Sequence, residues 1–409
     1  GPRTDQSILN NYEFQTSANI VIATPGPVVK TADKTTYTIG EEIIYTITIP
    51  IIEGVTLDPF VTDVLPAGIV YIDGSGTAVD GNGNPINDII EAFTVSGSTL
   101  TLDLANVQTV ADNDESNDLF RLSFRAKVLN VFDNENGDIK TNTVTFTSTG
   151  QPPRSASVNV GIVEPDLVQT KVNNAPGPVD AGDTVTFTVT TQHASDSSAN
   201  AFEYQFRDVI PANLGNVQIV SATINGVDVS GQVIFDGNAI VSAPGANLDI
   251  PMGSVFTLVY RVTVLDTVGP NQTLTNLVLG SWTSLDGSTP QSGTPQGERI
   301  GTLARDVNDY VDAATNSITT SARLDMTKSI IGPDSNFAVG ETVTYALDVR
   351  VFEGTLQNVV LTDVSDAGLS IDLNSLTVVG GAFAGATPRI VNPQLTVDAA
   401  GRTTLIFGL

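Results

Sequence analysis

The stretch "VVKTADKTTYTIGEEIIYTITI", from Val28 to Ile49, decides the fold. Its last part alternates, with Ile43, Tyr45 and Ile47 on one face. A period of two over such a length predicts a half-buried β-strand. Ahead of the strand stand Gly40 and an acid, then a variable loop, then a short apolar segment holding Lys30. The same order returns in "LVQTKVNNAPGPVDAGDTVTFTVT" (Leu167 to Thr190) and in "LDMTKSIIGPDSNFAVGETVTYALDV" (Leu324 to Val349). Aligned on Gly40, Gly182 and Gly340, the inward positions agree: Val185, Phe187 and Val189 in the second copy, Val343, Tyr345 and Leu347 in the third.

A second shared block follows each opening. It reads "FVTDVLPAGIVYI" from Phe60, "QFRDVIPANLGNV" from Gln205 and "VLTDVSDAGLSI" from Val360. Each places an Asp near a strand end, just before a turn. A later strand belongs to the first two copies only, "TNTVTFTS" (Thr141 to Ser148) and "TNLVLGSWTS" (Thr275 to Ser284). Strands "LFRLSFRAKV" (Leu119 to Val128) and "VFTLVYRVTV" (Val255 to Val264) precede it. Most of the rest is Thr, Val, Gly, Asn and Asp, the chemistry of strands and turns. Helical periodicity is weak, and only Leu303 to Val311 suggests a turn or two of helix. Regularly spaced short strands predict an all-β chain of tandem β-sandwiches. Boundaries fall at "VEPDL" from Val163 and "TTSARL" from Thr319. The expected domains are 28–163, 164–321 and an incomplete 322–409, with 1–27 as closing strands of a preceding repeat.

Composition narrows the function. Of 409 residues, 41% are hydrophobic, which is enough for packed cores. The net charge of −27 argues against nucleic acid and against an anionic membrane surface. No apolar run is long enough to span a membrane. There is no cysteine, so disulfides, zinc thiolates and cysteine nucleophiles are excluded. The one histidine, His193, has no second His or Cys to share a metal and reads as a surface residue.

The repeated Lys segment, the "G-E/D-x-V-x-Y/F" strand, the "D-V-L/I-P" block and the Asn opening the last long strand resemble a known set. They are similar to the isopeptide-forming β-sandwich domains of bacterial fimbriae and surface adhesins, immunoglobulin-like and of the collagen-adhesin type. The segment "GERIGTLARDVNDYVDAA" (Gly297 to Ala314) resembles an insertion found in long bacterial repeat proteins. The resemblance covers most of residues 28–409. It implies tandem immunoglobulin-like sandwiches in a rod, at the bacterial cell surface. It also implies that a Lys and an Asn join covalently inside each domain, helped by a buried acid. Mapped here, these are Lys30, Asp63 and Asn142 in copy one, and Lys171, Asp208 and Asn276 in copy two. Lys328 and Asp363 fill two of the roles in copy three, where no Asn follows. Lys34 competes with Lys30, but the other copies have no Lys at its position.

The chemistry is physically reasonable. Burial favours the neutral amine of a Lys and raises the pKa of a carboxyl group. A protonated Asp can then hydrogen-bond the Asn carboxamide oxygen and sharpen its carbon as an electrophile. The amine attacks and ammonia leaves. The ordinary alternative is a solvated strand Lys, a turn-forming Asp and a loop-capping Asn. Three ordered copies favour the crosslink over that alternative.

Other signals are weaker. "LPAG" (Leu65 to Gly68) lacks the Thr, apolar tail and basic end of a sorting signal and reads as a turn. Asp80, Asn82, Asn84 and Glu91 stand at positions 1, 3, 5 and 12 of a calcium-loop pattern, with Pro85 where that loop needs Gly. No cofactor is expected, with calcium as a candidate at these residues. The first functional expectation is a structural stalk segment of a surface adhesin or fibre, with neighbouring repeats as partners. The second is a calcium-dependent module that binds a host ligand or carbohydrate. No enzyme is expected.

"SILNNYEFQTS" (Ser7 to Ser17) reads as a strand, and its Asn10 and Phe14 align with Asn142 and Phe146. The chain thus opens on the closing strands of a repeat. Either it is cut from a longer array, or Asn10 of one chain completes the domain holding Lys328 and Asp363 of the next. The first explanation is preferred.

Overall fold

A computed structural model describes residues 16–19, 24–86, 93–287, 290–304, 306–381 and 388–409. They form an all-β protein, with three-residue 3-10 turns at Ser230–Gln232 and Leu373–Ser375. The chain divides into two compact units. One holds the described parts of Gly1–Asp166 with Ser195–Phe202 and Trp282–Tyr310; the other holds Leu167–Ala194, Glu203–Ser281 and Val311–Leu409.

In the first unit two sheets face each other. One orders the strands Val29–Ala32, Glu42–Pro50, Leu119–Val128 and Ile69–Tyr71, with Thr77–Asp80 also on Leu119–Val128. The other orders Thr36–Tyr37, Gln151–Ile162, Ile139–Ser148, Phe60–Val64, Thr99–Asp103 and Phe93–Ser96. Alternation along these strands drives Ile43, Tyr45, Ile47, Leu122, Phe124, Val144 and Phe146 into one core.

The second unit repeats the plan. Leu167–Asn173, Thr184–His193, Val255–Val264, Leu214–Ile224 and Val227–Asp228 make one sheet. Val233–Phe235, Ala239–Ser242, Phe202–Val209, Thr273–Thr283 and Val311–Thr319 make the other. The third copy contributes a two-stranded sheet, Leu324–Ile330 with Tyr345–Val351, and a three-stranded one ordered Val360–Ser365, Thr403–Gly408, Val391–Val397.

The Gly-acid motif has one local cause in all three copies. Gly40, Gly182 and Gly340 take φ of +87°, +90° and +94°, a region that a side chain disfavours. The following acid turns back on the chain. Glu41 accepts from the Thr38 N–H, Asp183 from the Asp180 N–H and Glu341 from the Ala338 N–H, at 2.7–3.0 Å. This closed turn feeds the alternating strand and sets which of its faces points inward.

Leu303–Val311 is not helical among its described residues. The Asp306 carboxylate accepts from the Asn308 N–H (2.8 Å), and the Thr302 N–H donates to the Asn308 carbonyl (2.9 Å). Short polar side chains that bond nearby backbone outcompete a helical turn here. The segment serves instead to build a buried polar cluster within the first unit. Arg299, only 2% exposed, donates to Glu164 (2.7 Å), to Asn130 (3.0 Å) and to the carbonyls of Val131 and Asn134 (3.1 Å each). Tyr310 donates to the same Glu164 oxygen at 2.6 Å and stacks on Trp282, with ring centroids 5.9 Å apart. Burial raises the Glu164 pKa, while the Tyr310 hydroxyl and Arg299 oppose the rise.

Candidate functional site

Lys30 sits on the edge strand of its sheet, opposite Ile47. Asp63 lies on the facing sheet, opposite Val144. Asn142 precedes Val144 by two residues, so strand alternation puts it on the same inward face. The three side chains meet in the core, where Lys30 is 6% exposed, Asp63 2% and Asn142 fully buried. The Lys30 ammonium contacts an Asp63 oxygen directly. It also lies over the rings of Tyr45 and Phe124, at 5.0 and 5.3 Å from their centroids. Asn142 bears on both Asp63 and Tyr45, yet neither end of its amide completes a well-formed hydrogen bond.

The second repeat has the same construction. Lys171 lies opposite Val189, and its Nζ is 2.5 Å from Asp208 Oδ1. The Tyr260 hydroxyl donates to the other Asp208 oxygen (2.9 Å) and accepts from Asn276 Nδ2 (2.7 Å). The carboxamide oxygen of Asn276 is buried without a partner.

Both sites oppose ionisation by the same physics. Burial lowers the Lys30 pKa and raises that of Asp63, and the attraction of the two charges opposes each shift. In the second repeat burial lowers Lys171 to about 8 and raises Asp208, again against their mutual attraction. Each site therefore moves toward a neutral amine beside a neutral carboxylic acid. That is the protonation state in which an amine can attack and an acid can donate.

In the third copy Lys328 lies opposite Leu347, and its Nζ is 2.6 Å from Asp363. The ammonium sits 4.4 Å from the Tyr345 ring centroid. Here the side chains are 33% and 17% exposed, and no Asn joins them among the described residues.

The aromatic pair flanking each Lys was not singled out by sequence reasoning. Tyr45 pairs in register with Phe124, and Phe187 with Tyr260. The two repeats thus carry the same Tyr–Phe pair on exchanged strands. In the second repeat the hydroxyl holds the Asn amide; in the first, Tyr45 Oη makes no hydrogen bond. The signal was present in the paired motifs "LFRLSF" and "VFTLVY", which place Phe124 and Tyr260 at equivalent positions.

The remaining candidates fall elsewhere. Lys34 is exposed and pairs with Glu41. Asn10 and Glu91 lie outside the described residues. Asp80 Oδ1 accepts from the N–H groups of Asn82 (2.9 Å) and Asn84 (2.8 Å) and Oδ2 from Asn84 Nδ2 (3.1 Å), a turn that engages both carboxylate oxygens. Among the described residues no group of three or more His, Asp or Glu side chains is placed to hold a metal. His193 is half-buried, with Nε2 2.8 Å from the Ile250 carbonyl. "LPAG" is a turn in which Gly68 has φ +85° and an added Cβ would collide with Asn134. No described helix is long and apolar enough to cross a membrane.

No family model matches the chain, and no curated protein matches it. Among solved structures it is similar to the C-terminal domain of the antigen I/II polypeptide BspA of Streptococcus agalactiae. That likeness has 12% identity and a TM-score of 0.39, over 72% of this chain and 100% of that one. The C-terminal domain of the antigen I/II-family protein AspA of Streptococcus pyogenes gives 12% and 0.39, over 72% and 99%. BcpA, the major pilin subunit of Bacillus cereus, gives 12% and 0.30, over 86% and 87%. Likenesses at this level say nothing of function, and the reading of the chain rests on its own residues.

Proposed function

We propose that the chain is a load-bearing structural segment of a bacterial surface adhesin or fibre, exposed outside the cell. Each complete sandwich closes one intramolecular amide, Lys30 to Asn142 and Lys171 to Asn276, promoted by Asp63 and Asp208. The observation that carries this reading is a buried Lys–Asp–Asn set at equivalent positions of two sandwiches. A solvated strand Lys would not be found there.

The proton passes from Nζ to the Asp carboxylate, because burial disfavours the ion pair. The free amine attacks Cγ of the Asn, while the protonated Asp hydrogen-bonds its carboxamide oxygen. The new C–N bond forms, the C–Nδ2 bond breaks, and ammonia leaves with the proton that the amine gives up. Close packing supplies the proximity. Each domain reacts once, and the proposed chemistry requires no cofactor. The bond would tie the first strand of one sheet to a strand of the other and stiffen a cysteine-free chain much as a disulfide would.

Intact-mass measurement tests the reading. The folded chain should weigh about 34 Da less than its sequence, one ammonia for each of two bonds. Lys30→Ala should halve that deficit, and a full sequence mass for the parent chain would end the proposal. Tyr260→Phe should slow only the second closure, by roughly tenfold or more, since the hydroxyl touches both Asp208 and Asn276. Mass spectra taken soon after synthesis would show chains short of one ammonia rather than two.

A further inference from the structure

Closure of the second repeat requires a proton to travel. The attacking amine must lose it, and the departing Nδ2 of Asn276 must gain it. The two Asp208 oxygens are engaged on either side, Oδ1 with Lys171 Nζ (2.5 Å) and Oδ2 with the Tyr260 hydroxyl (2.9 Å). That same hydroxyl lies 2.7 Å from Asn276 Nδ2. Asp208 and Tyr260 thus link the nucleophile to the leaving group in one hydrogen-bonded path. Lys171, Asp208, Tyr260 and Asn276 are all buried, so bulk solvent is shut out of it.

The first repeat keeps a hydroxyl at this place but takes it from the other strand. Tyr45 stands where the second repeat has Phe187, and Phe124 where it has Tyr260. The two rings of each pair lie 5.4 and 5.5 Å apart. Tyr45 bears on Asn142 and Asp63, the same two partners that Tyr260 has in the second repeat. Two Phe rings would fill either space without the cost of burying a hydroxyl. Each pair nevertheless carries one.

We propose that the tyrosine hydroxyl of each pair is a catalytic group that carries a proton from the promoting Asp to the departing amide nitrogen, and that either strand can supply it. The inference rests on the isopeptide reading above and assigns a further catalytic residue to each site, Tyr260 in the second repeat and Tyr45 in the first. As the adduct of Nζ and Cγ collapses, Asp208 accepts a proton from Nζ at Oδ1 and gives its own from Oδ2 to the Tyr260 hydroxyl. That hydroxyl passes its proton to Nδ2, the C–Nδ2 bond breaks and ammonia leaves. Of the three protons on the original ammonium, one stays on the new amide, one departs in the ammonia and one remains on the carboxyl. Burial, and then the charge of the neighbouring Asp, raise the pKa of both hydroxyls. The tyrosine therefore exchanges one proton for another without becoming a phenolate.

The test uses the full chain carrying Lys30→Ala, so that only the second repeat closes and the deficit is about 17 Da. Chain synthesised into denaturant is diluted to fold, and its intact mass is followed after circular dichroism shows folding to be complete. Tyr260→Phe should slow closure by about a hundredfold. Adding Phe187→Tyr to that variant sets the hydroxyl on the strand that the first repeat uses, and should restore most of the lost rate. Closure of the Lys30→Ala chain should also slow in D2O, along a curve as the deuterium fraction rises, because several protons move together. A purely orienting hydroxyl would not give that curve. Tyr45→Phe, in a chain where Lys171→Ala leaves only the first repeat to close, should slow that closure likewise. An unslowed Tyr260→Phe or Tyr45→Phe, a double variant as slow as Tyr260→Phe, or a rate unchanged in D2O would each overturn the relay. If the unsubstituted chain still shows its deficit of about 34 Da, the isopeptide reading stands without the relay. If that deficit is absent, both fail.

Discussion

Asn276→Ala should lower the stability of the second repeat by about 4.7 kcal/mol, the loop-closure value for a crosslink spanning ~100 residues. The proposed bond encloses a loop of that size, because Lys171 and Asn276 are 105 positions apart (276 − 171). The variant keeps the Lys171–Asp208 contact and loses the amide together with the Asn276 side chain that contacts Tyr260. Asp208→Ala loses both and strands a buried ammonium, which should cost a further ~3–5 kcal/mol. Calorimetry on the two variants separates the bond from the charge, and a parent-like melting profile for Asn276→Ala would remove the bond's claimed role. The free amine also gives that variant a pH signature. Burial holds Lys171 at about 8, against 10.5 in the unfolded chain. Between these values the unfolded chain binds the extra proton. The Lys171 contribution to stability therefore grows as pH rises from about 8 to 10.5 and is lost as pH falls through 8.

Arg299→Ala should destabilise the first unit by about 3–5 kcal/mol, although Arg299 touches neither crosslink site. The substitution removes four hydrogen-bonded partners and leaves the Glu164 carboxylate buried without its cation. Glu164 already has a raised pKa, and loss of Arg299 removes one of the groups that hold it down. A carboxyl group raised on folding contributes stability at low pH and loses it as pH rises through its folded value. The defect should therefore be smaller near pH ~5 than near pH ~8, read as the shift in denaturant midpoint at each pH. Both amide bonds should still form, so the intact mass separates this variant from those of the crosslink sites.

The strands were legible because each copy carries its own local evidence. Alternation in "EEIIYTITI", the left-handed Gly before it and the acid that closes the turn are all encoded within a few residues. The equivalence of Lys30, Lys171 and Lys328 was legible from repetition, and the three occupy one register position in their strand pairs. The Arg299 cluster was not. Its partners come from Asn130, Val131, Asn134 and Glu164, more than 130 positions away, and no local pattern marks an Arg in a polar stretch as buried. The helix expected over Leu303–Val311 failed for a related reason. Asp306 and Asn308 bond the backbone locally, which residue spacing alone does not reveal.

The exchange of Tyr and Phe between strands has a consequence for how adjacent repeats fold. Tandem domains of similar sequence risk trading strands with a neighbour during folding. A trade of the Glu42–Pro50 and Thr184–His193 strands would set Phe187 against Phe124 in one domain and Tyr45 against Tyr260 in the other. The first hybrid has no hydroxyl beside its Asp, and the second forces two into one buried space. A hybrid would therefore carry either no hydroxyl or two at the position where each native domain carries one beside its lysine.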